Sequence, residues 1–377
     1  MLTMPILMLF YKDVGFTTTQ SFQLKAFYSI SIVIFDLPSG YLADIIGRKR
    51  SILIGAVLGT LGFFIYSTTT GFYAFLLAEI ALGIGQSFIN GADGALLYDS
   101  LRESKRESDY LKYEGRMFSV GNFSEAAGSF CGGILAFYSL RLPFFFQTGV
   151  AFMAIPAALL LYEPLRQEST RKSFIEVLVT MKDALVNNIP LRWNMLFSAL
   201  IGSATLTMAW IYQLRLKSVG FDEVAIGATA MVLNVMAGIV TAFAYRVEAQ
   251  LKPKVTLLAT TVVITLSFIL ASFTTGYLLL IVFALFYSAR GVINPVLKEY
   301  VNRVIGSDVR ASILSLRSVS IRLLFAVIGP FFGWYTDFYS LEEAMAILGI
   351  MFTITTLFSI YVFFKASSSK KNIINLN

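Results

Sequence analysis

Residues 40–50 read Gly40-Tyr41-Leu42-Ala43-Asp44-Ile45-Ile46-Gly47-Arg48-Lys49-Arg50. They separate two apolar stretches, at about 21–39 and 51–70, each long enough to cross a bilayer as a helix. Gly40 and Gly47 allow a tight reversal where side chains would crowd. Arg48, Lys49 and Arg50 place the turn on the cytoplasmic face, because moving such a cluster across a membrane is unfavourable. Asp44 is the one acid in the run beside three bases, the arrangement a gate latch requires.

The rest of the chain suits a membrane. Of 377 residues, 56% are hydrophobic and 14% charged, against about a quarter charged in soluble chains. Twelve spans of about 20 residues would use roughly 240 residues and leave only short loops. The net charge of +7 is spread among those loops. Positive-inside topology and anionic lipid therefore explain it better than nucleic acid does. The absence of His excludes imidazole proton relays and His metal sites, and no cofactor is expected. Cys131 is alone, which excludes an intrachain disulfide. No G-x-x-x-x-G-K-[ST] loop is present, so this chain does not use ATP to drive work. No Ser or Cys nucleophile has a His base, and the chain is not expected to be an enzyme. The first residues lack a basic n-region and a cleavage site, so no secretory signal is expected.

Met1 to Phe10 is apolar but too short to span, and Tyr11 to Phe16 reads as an external turn. Segments four to six are expected near 72–98, 115–138 and 143–162, and segments seven to twelve near 193–216, 222–246, 253–274, 277–300, 311–335 and 341–364. Between them, 163–192 is a polar link in which Phe174, Val177, Leu178, Met181 and Leu185 repeat at helical spacing, as in an amphipathic helix lying on the inner face. Arg102, Lys105, Arg106, Lys112 and Arg116 mark one inner loop, and Arg246, Lys252, Lys254, Arg303 and Arg310 mark later ones. The opposite loops hold only Lys12, Lys25, Arg141 and Lys217. A faint repeat pairs 128–133 (Gly-Ser-Phe-Cys-Gly-Gly) with 329–334 (Gly-Pro-Phe-Phe-Gly-Trp), each with an arginine twelve positions earlier, Arg116 and Arg317.

The pattern G-x-L-A-D-x-x-G-R-K, matched by Gly40, Leu42, Ala43, Asp44, Gly47, Arg48 and Lys49, resembles the loop between helices 2 and 3 of the major facilitator superfamily. The resemblance implies an all-α membrane protein of two six-helix bundles. Residues 1–162 would form the N-terminal bundle and 193–364 the C-terminal one, joined by the cytoplasmic link 163–192, with 365–377 as a cytoplasmic tail. On that mapping the chain begins halfway through helix 1; a true start with a short first helix is the alternative. Given a full first helix, both termini are cytoplasmic, in a plasma membrane.

Charges inside a bilayer are costly and usually face a cavity or a partner. Glu125 lies about ten residues into segment five, at roughly 15 Å depth, and Arg322 lies similarly deep in segment eleven. Asp36 and Arg317 stand near inner ends, Glu79 nearer the outside, Asp93 nearer the inside, and Arg290 in the inner half of segment ten. In the resembling family, helices 1, 4, 7 and 10 line the central path and helix 2 abuts helix 11. That implies Glu79, Asp93 and Arg290 as cavity groups. It also implies Asp36 with Arg317 or Arg322 as a contact that forms and breaks, with Asp44 facing the start of helix 11. Glu125 is either a proton site or a partner for neighbours such as Asn234, and Asp99 is expected to cap a loop.

Two departures stand out. Drug-exporting members often carry an Arg in helix 4, four residues before a Gly; Glu79 occupies that place before Gly83. Ser129 stands where their helix 5 often has Pro in G-P-x-x-G-G. The resulting expectation is a monomeric secondary transporter that moves a small solute by alternating access, with proton-coupled efflux first. Uptake of a metabolite and a non-transporting membrane sensor are the alternatives. Its partners would be the solute, protons and the lipid bilayer.

Overall fold

The computed structural model describes residues 1–164, 188–251, 253–304 and 307–369. The amphipathic helix expected at 174–185 lies outside them, as does most of the tail. Among the described residues the regular elements are all helical. They are α1 (Leu7–Asp13), α2 (Thr18–Ile46), α3 (Arg48–Thr68), α4 (Phe72–Asn90), α5 (Asp93–Glu103), α6 (Tyr110–Tyr138), α7 (Leu142–Leu160), α8 (Ile189–Ser218), α9 (Glu223–Leu251), α10 (Pro253–Phe273), α11 (Tyr277–Val304), α12 (Ser307–Phe338) and α13 (Leu341–Ser369).

Nine spans among these residues are long and apolar enough to cross a membrane, or ten if bent α2 counts as one; α4 and α5 together make one of them. The seven-residue α1 is too short. α6 has the length, 29 residues, but Asn122, Ser124, Glu125 and Ser129 dilute its apolar content. Leu61, Phe64, Leu77, Ile239, Ile281 and Ile354 are exposed on helix surfaces. In water such apolar area is a liability; against hydrocarbon it is the expected outer face.

The described residues fall into two compact units, the first drawn from residues up to 164 with Gly220–Val232, the second from 188–219 and the residues after 232. In the first, α3 packs on α4 and α7, and α4 also packs on α2. The start of α2 is fixed by a capping box: Thr17 Oγ1 accepts from the Gln20 amide at 3.1 Å, and the Gln20 side chain accepts from the Thr17 amide at 3.0 Å. Pro38 removes a backbone donor and crowds the preceding turn, and α2 bends by 52° beside it.

Gly47 separates α2 from α3 with φ +116°, a conformation that disfavours a side chain, as the expected reversal requires. Gly40 has a different role. It lies inside α2 and its backbone meets Gly91, where an added Cβ would stand 3.0 Å from the Gly40 nitrogen; a Cβ on Gly40 itself would meet nothing within 4 Å, so the close approach needs the glycine at 91. Segment four is likewise not one continuous helix, since α4 ends at Asn90 and α5 begins at Asp93. On α3, a Cβ at Gly55 would lie 2.6 Å from Ile89 Cγ1 and 2.7 Å from the Gly85 carbonyl. Gly55→Val is therefore expected to cost about 1–3 kcal/mol through overpacking, read as a lowered midpoint of thermal unfolding in detergent.

In the second unit α8 is the most buried span, and α11, α12 and α13 pack on it; α10 joins α11 and α13. Phe268 on α10 lies 5.9 Å (ring centroids) from Phe286 of α11 and 5.6 Å from Phe352 of α13.

Candidate functional site

The chemistry of the first unit centres on Glu79. Gly83, one turn further along α4, lets the backbone of α2 approach so closely that a Cβ there would sit 2.8 Å from the Tyr28 carbonyl. That approach brings Lys25 of α2 level with Glu79, and Nζ donates to Oε1 at 2.7 Å. Tyr11 of α1 donates to the same oxygen at 2.6 Å and Tyr66 of α3 at 2.5 Å, and the two hydroxyls are 2.5 Å apart. Four helices thus deliver four polar groups to one point, and all four side chains are buried. Oε2 of Glu79 is buried as well and accepts no hydrogen bond.

Aromatic rings close the surroundings. Phe10 lies 4.2 Å from Phe144 and 5.6 Å from Phe75, and Tyr66 lies 4.6 Å from Phe75. Lys25 Nζ stands 4.7 Å from the Tyr28 ring. Arg141 stands over the Phe10 ring and donates to the Ser67 carbonyl. An ion pair at this depth is costly to assemble and costlier to halve, since either partner alone is an uncompensated buried charge.

A second network lies at the α2–α3 hairpin. Arg48 pairs with Asp99 of α5 and donates to the Ala95 carbonyl. It also reaches Asp44, one turn earlier, at 3.7 Å, and Arg102 approaches Asp99 at 3.5 Å. Glu163 accepts from the backbone amides of Arg48 and Lys49, at 2.9 and 2.7 Å. A carboxylate there satisfies donors at the start of α3 and meets its positive end. Asp99, expected as a loop cap, is instead the buried partner of Arg48. Nearby, Asp109 holds the exposed Arg106 guanidinium further on its charged side by hydrogen bonding.

The remaining residues singled out in the sequence have surroundings of their own. Asp36 is half-buried on α2, its carbonyl accepting from Ser39 Oγ. Asp93 opens α5, and its carboxylate accepts from the Gly94 amide at 2.6 Å. Glu125 is half-buried on α6. In the second unit Arg290 stacks over Tyr287 at 5.4 Å, and Arg322 is half-buried. Arg317 has Nε and Nη2 buried without a hydrogen-bond partner.

Lys25, Tyr11, Tyr66, Glu163 and Arg215 are the participants sequence reasoning passed over. Lys25, expected in an outer loop, lies seven residues into α2, where a charge is as conspicuous as Glu79. Arg215 sits at the end of α8 and is 3% exposed. It donates to the carbonyls of Ala271, Ser272 and Thr274 at 2.8, 3.2 and 3.1 Å and pairs with Glu342. It thereby ties the end of α10 to the start of α13. Arg215→Met is expected to cost about 1.5–3 kcal/mol, as carbonyls lose a charged donor, and the thermal midpoint would report it.

A family model described as Major Facilitator Superfamily matches residues 1–330. Quinolone resistance protein NorA of Staphylococcus aureus is 26% identical over 174 residues, 46% of this chain and 43% of that protein. An uncharacterized MFS-type transporter, MJ1560 of Methanocaldococcus jannaschii, is 25% identical over 159 residues, 42% and 39% of the two chains. The match thus spans under half the length of these curated relatives. Among solved structures, nucleoside transporter NupG aligns over 96% of this chain and 93% of its own, with TM-score 0.78 and 14% identity. A D-xylose-proton symporter aligns over 95% and 92%, with TM-score 0.71 and 14% identity. At that identity these likenesses show the fold.

Proposed function

Because the chain belongs to the Major Facilitator Superfamily, and is by fold a multi-pass membrane protein of the transporter type, we propose that it exports a small amphipathic or cationic solute in exchange for protons. Residues 1–162 and 193–364 act as the two bundles of an alternating-access carrier, joined by 163–192 on the cytoplasmic side of a plasma membrane. Both termini of the full bundle arrangement face the cytoplasm, and the carrier works as a monomer.

The observation that carries this reading is the fully buried Lys25–Glu79 pair. A charge pair is not needed to hold apolar helices together, and well-packed hydrophobic residues would serve stability as well or better. Ionisable groups at membrane depth belong to solute or proton paths far more often than to packing. The absence of a nucleotide-binding loop leaves an ion gradient as the energy source. Similarity to a protein named for quinolone resistance supports export over uptake. Asp36, Asp44, Arg48, Lys49, Arg317 and Arg322 belong to gating, with Gly47 shaping the hairpin and Gly40 inside α2 against Gly91. Glu79, Asp93, Glu125 and Arg290 belong to the solute or proton path.

Everted membrane vesicles carrying the full chain test the reading. Imposing a pH gradient is expected to drive uptake of ethidium, or of a quinolone, and a protonophore is expected to abolish it. Uptake equal to that of vesicles lacking the protein, with both probes, would refute it.

A further inference from the structure

We infer that Arg317 of the second unit is an anion-recognition group, and that the preferred solute is an amphiphile which places a carboxylate against it. The inference rests on the export reading above and narrows its solute class; Arg317, placed there in gating, takes the solute's acid group as well.

The charges of the second unit are one-sided at membrane depth. Arg290 lies midway along α11, Arg322 midway along α12, and Arg317 between Arg322 and the start of α12. α8 and α10 hold no Asp or Glu, and the acids of α9, α11, α12 and α13 all stand within two turns of a helix end. Arg215 has Glu342, whereas none of these three arginines is in an ion pair among the described residues. A guanidinium stays charged in proteins, so it cannot escape the cost of burial by losing a proton. Charges at such depth face a cavity or a partner.

Arg317 differs from the other two. Arg290 stacks on the Tyr287 ring and Arg322 is half-buried. In Arg317, Nε and Nη2 are both buried and neither has a hydrogen-bond partner. These two atoms form one edge of the planar fork, and their N–H bonds run parallel. A carboxylate accepts both at once, which is the bidentate match that an ammonium could not reproduce.

The fold aims this edge at α8. Ile321, one turn after Arg317, packs on Gly202 of α8, where an added Cβ would stand 2.5 Å from Ile321 Cγ1. Residues four apart share a helix face, so Arg317 lies on the α8 side of α12. Alternating spans give α8 and α12 the same direction, which sets Arg317 level with Ser198, one turn before Gly202. Ser198 is 0% exposed and Asn194 3%, and Ser198 Oγ donates to Asn194 Oδ1 at 3.4 Å. The exposed side chains of α12, such as Leu323 and Val327, fall on another face. That placement favours a solute over a lipid headgroup, the other source of an anion.

Binding of a quinolone, read by its own fluorescence, to the purified full chain in nanodiscs of zwitterionic lipid tests this. The acid is expected to bind the wild type about ten- to a hundredfold more tightly than its methyl ester, which keeps the shape and loses the negative charge. In Arg317→Gln the two are expected to bind alike. Equal binding of acid and ester by the wild type, binding of neither, or a preference that survives in Arg317→Gln would overturn the inference. Should Arg317→Gln fail to fold, Arg317→Lys keeps the charge without the fork and is expected to cut the preference several-fold; an unchanged preference there would also overturn it. Adding phosphatidylglycerol to the nanodiscs is expected to leave the preference as it was. If anionic lipid abolishes it, the guanidinium belongs to a headgroup and the solute assignment falls. Counterflow separates the inference from the reading it rests on. If ethidium and the quinolone both fail to exchange while the Arg317-dependent preference holds, the export reading fails and the anion site stands. If ethidium exchanges and the preference is absent, the reading stands and the site falls.

Discussion

Lys25→Met alone is expected to destabilise the protein by about 3–5 kcal/mol. The substitution keeps the length and much of the packing of the lysine stem. What it removes is the ammonium 2.7 Å from Glu79 Oε1, leaving a carboxylate in a fully buried place with only Tyr11 and Tyr66 as donors. Glu79→Ala is expected to cost a similar amount, because it strands the ammonium and opens a cavity among Phe10, Phe75 and Phe144. Lys25→Met/Glu79→Gln should be much milder than the sum, since no uncompensated charge remains and the amide oxygen still accepts from the tyrosines. Thermal unfolding of the four forms in one detergent gives the coupling directly. If the two single changes simply add in the double, Lys25 and Glu79 do not act as a buried pair.

Arg48→Ala is the second large effect, expected at about 2–3 kcal/mol. The guanidinium pairs with Asp99, donates to the Ala95 carbonyl and reaches Asp44. Its loss leaves Asp99 with Arg102 at 3.5 Å and frees the hairpin side of α5. Asp99→Ala should cost nearly as much, and the pair together little more than either alone, because both remove the same contact. Arg48 is partly exposed, so part of this effect is screened and the value sits below that of the Lys25 pair. Glu163→Gln should matter less. It keeps an acceptor for one of the two amides at the start of α3 and loses only the charge.

The order of helices was legible because membrane helices announce themselves by length and apolar content, and Gly47 with the bases after it marked the hairpin. The break at Gly91 was not, since a run such as Ile89-Asn90-Gly91-Ala92-Asp93 stays apolar enough to read as one span. Gly40 and Gly91 look alike in the sequence, yet only at Gly91 would an added Cβ crowd a neighbouring backbone, that of Gly40. Glu79 was legible as an expensive residue in an apolar run. Its partners were not, because Tyr11, Lys25 and Tyr66 are 68, 54 and 13 positions away. Only the packing of α1, α2 and α3 on α4 brings them to one oxygen. Lys25 was credited to topology, where a lysine near the start of a span is ordinary. Asp99 and Glu163 were hidden in the same way, since a carboxylate facing a distant amide or guanidinium leaves no local pattern.

The measurement that bears most directly on the central claim is counterflow in liposomes holding the purified full chain. With unlabelled ethidium inside and a trace of labelled ethidium outside, and no ion gradient, a carrier exchanges one for the other and the label accumulates transiently above equilibrium. An overshoot that rises with the amount of protein is the expected result. Label entering only to equilibrium, at the rate of protein-free liposomes and with a quinolone pair as well, would contradict it.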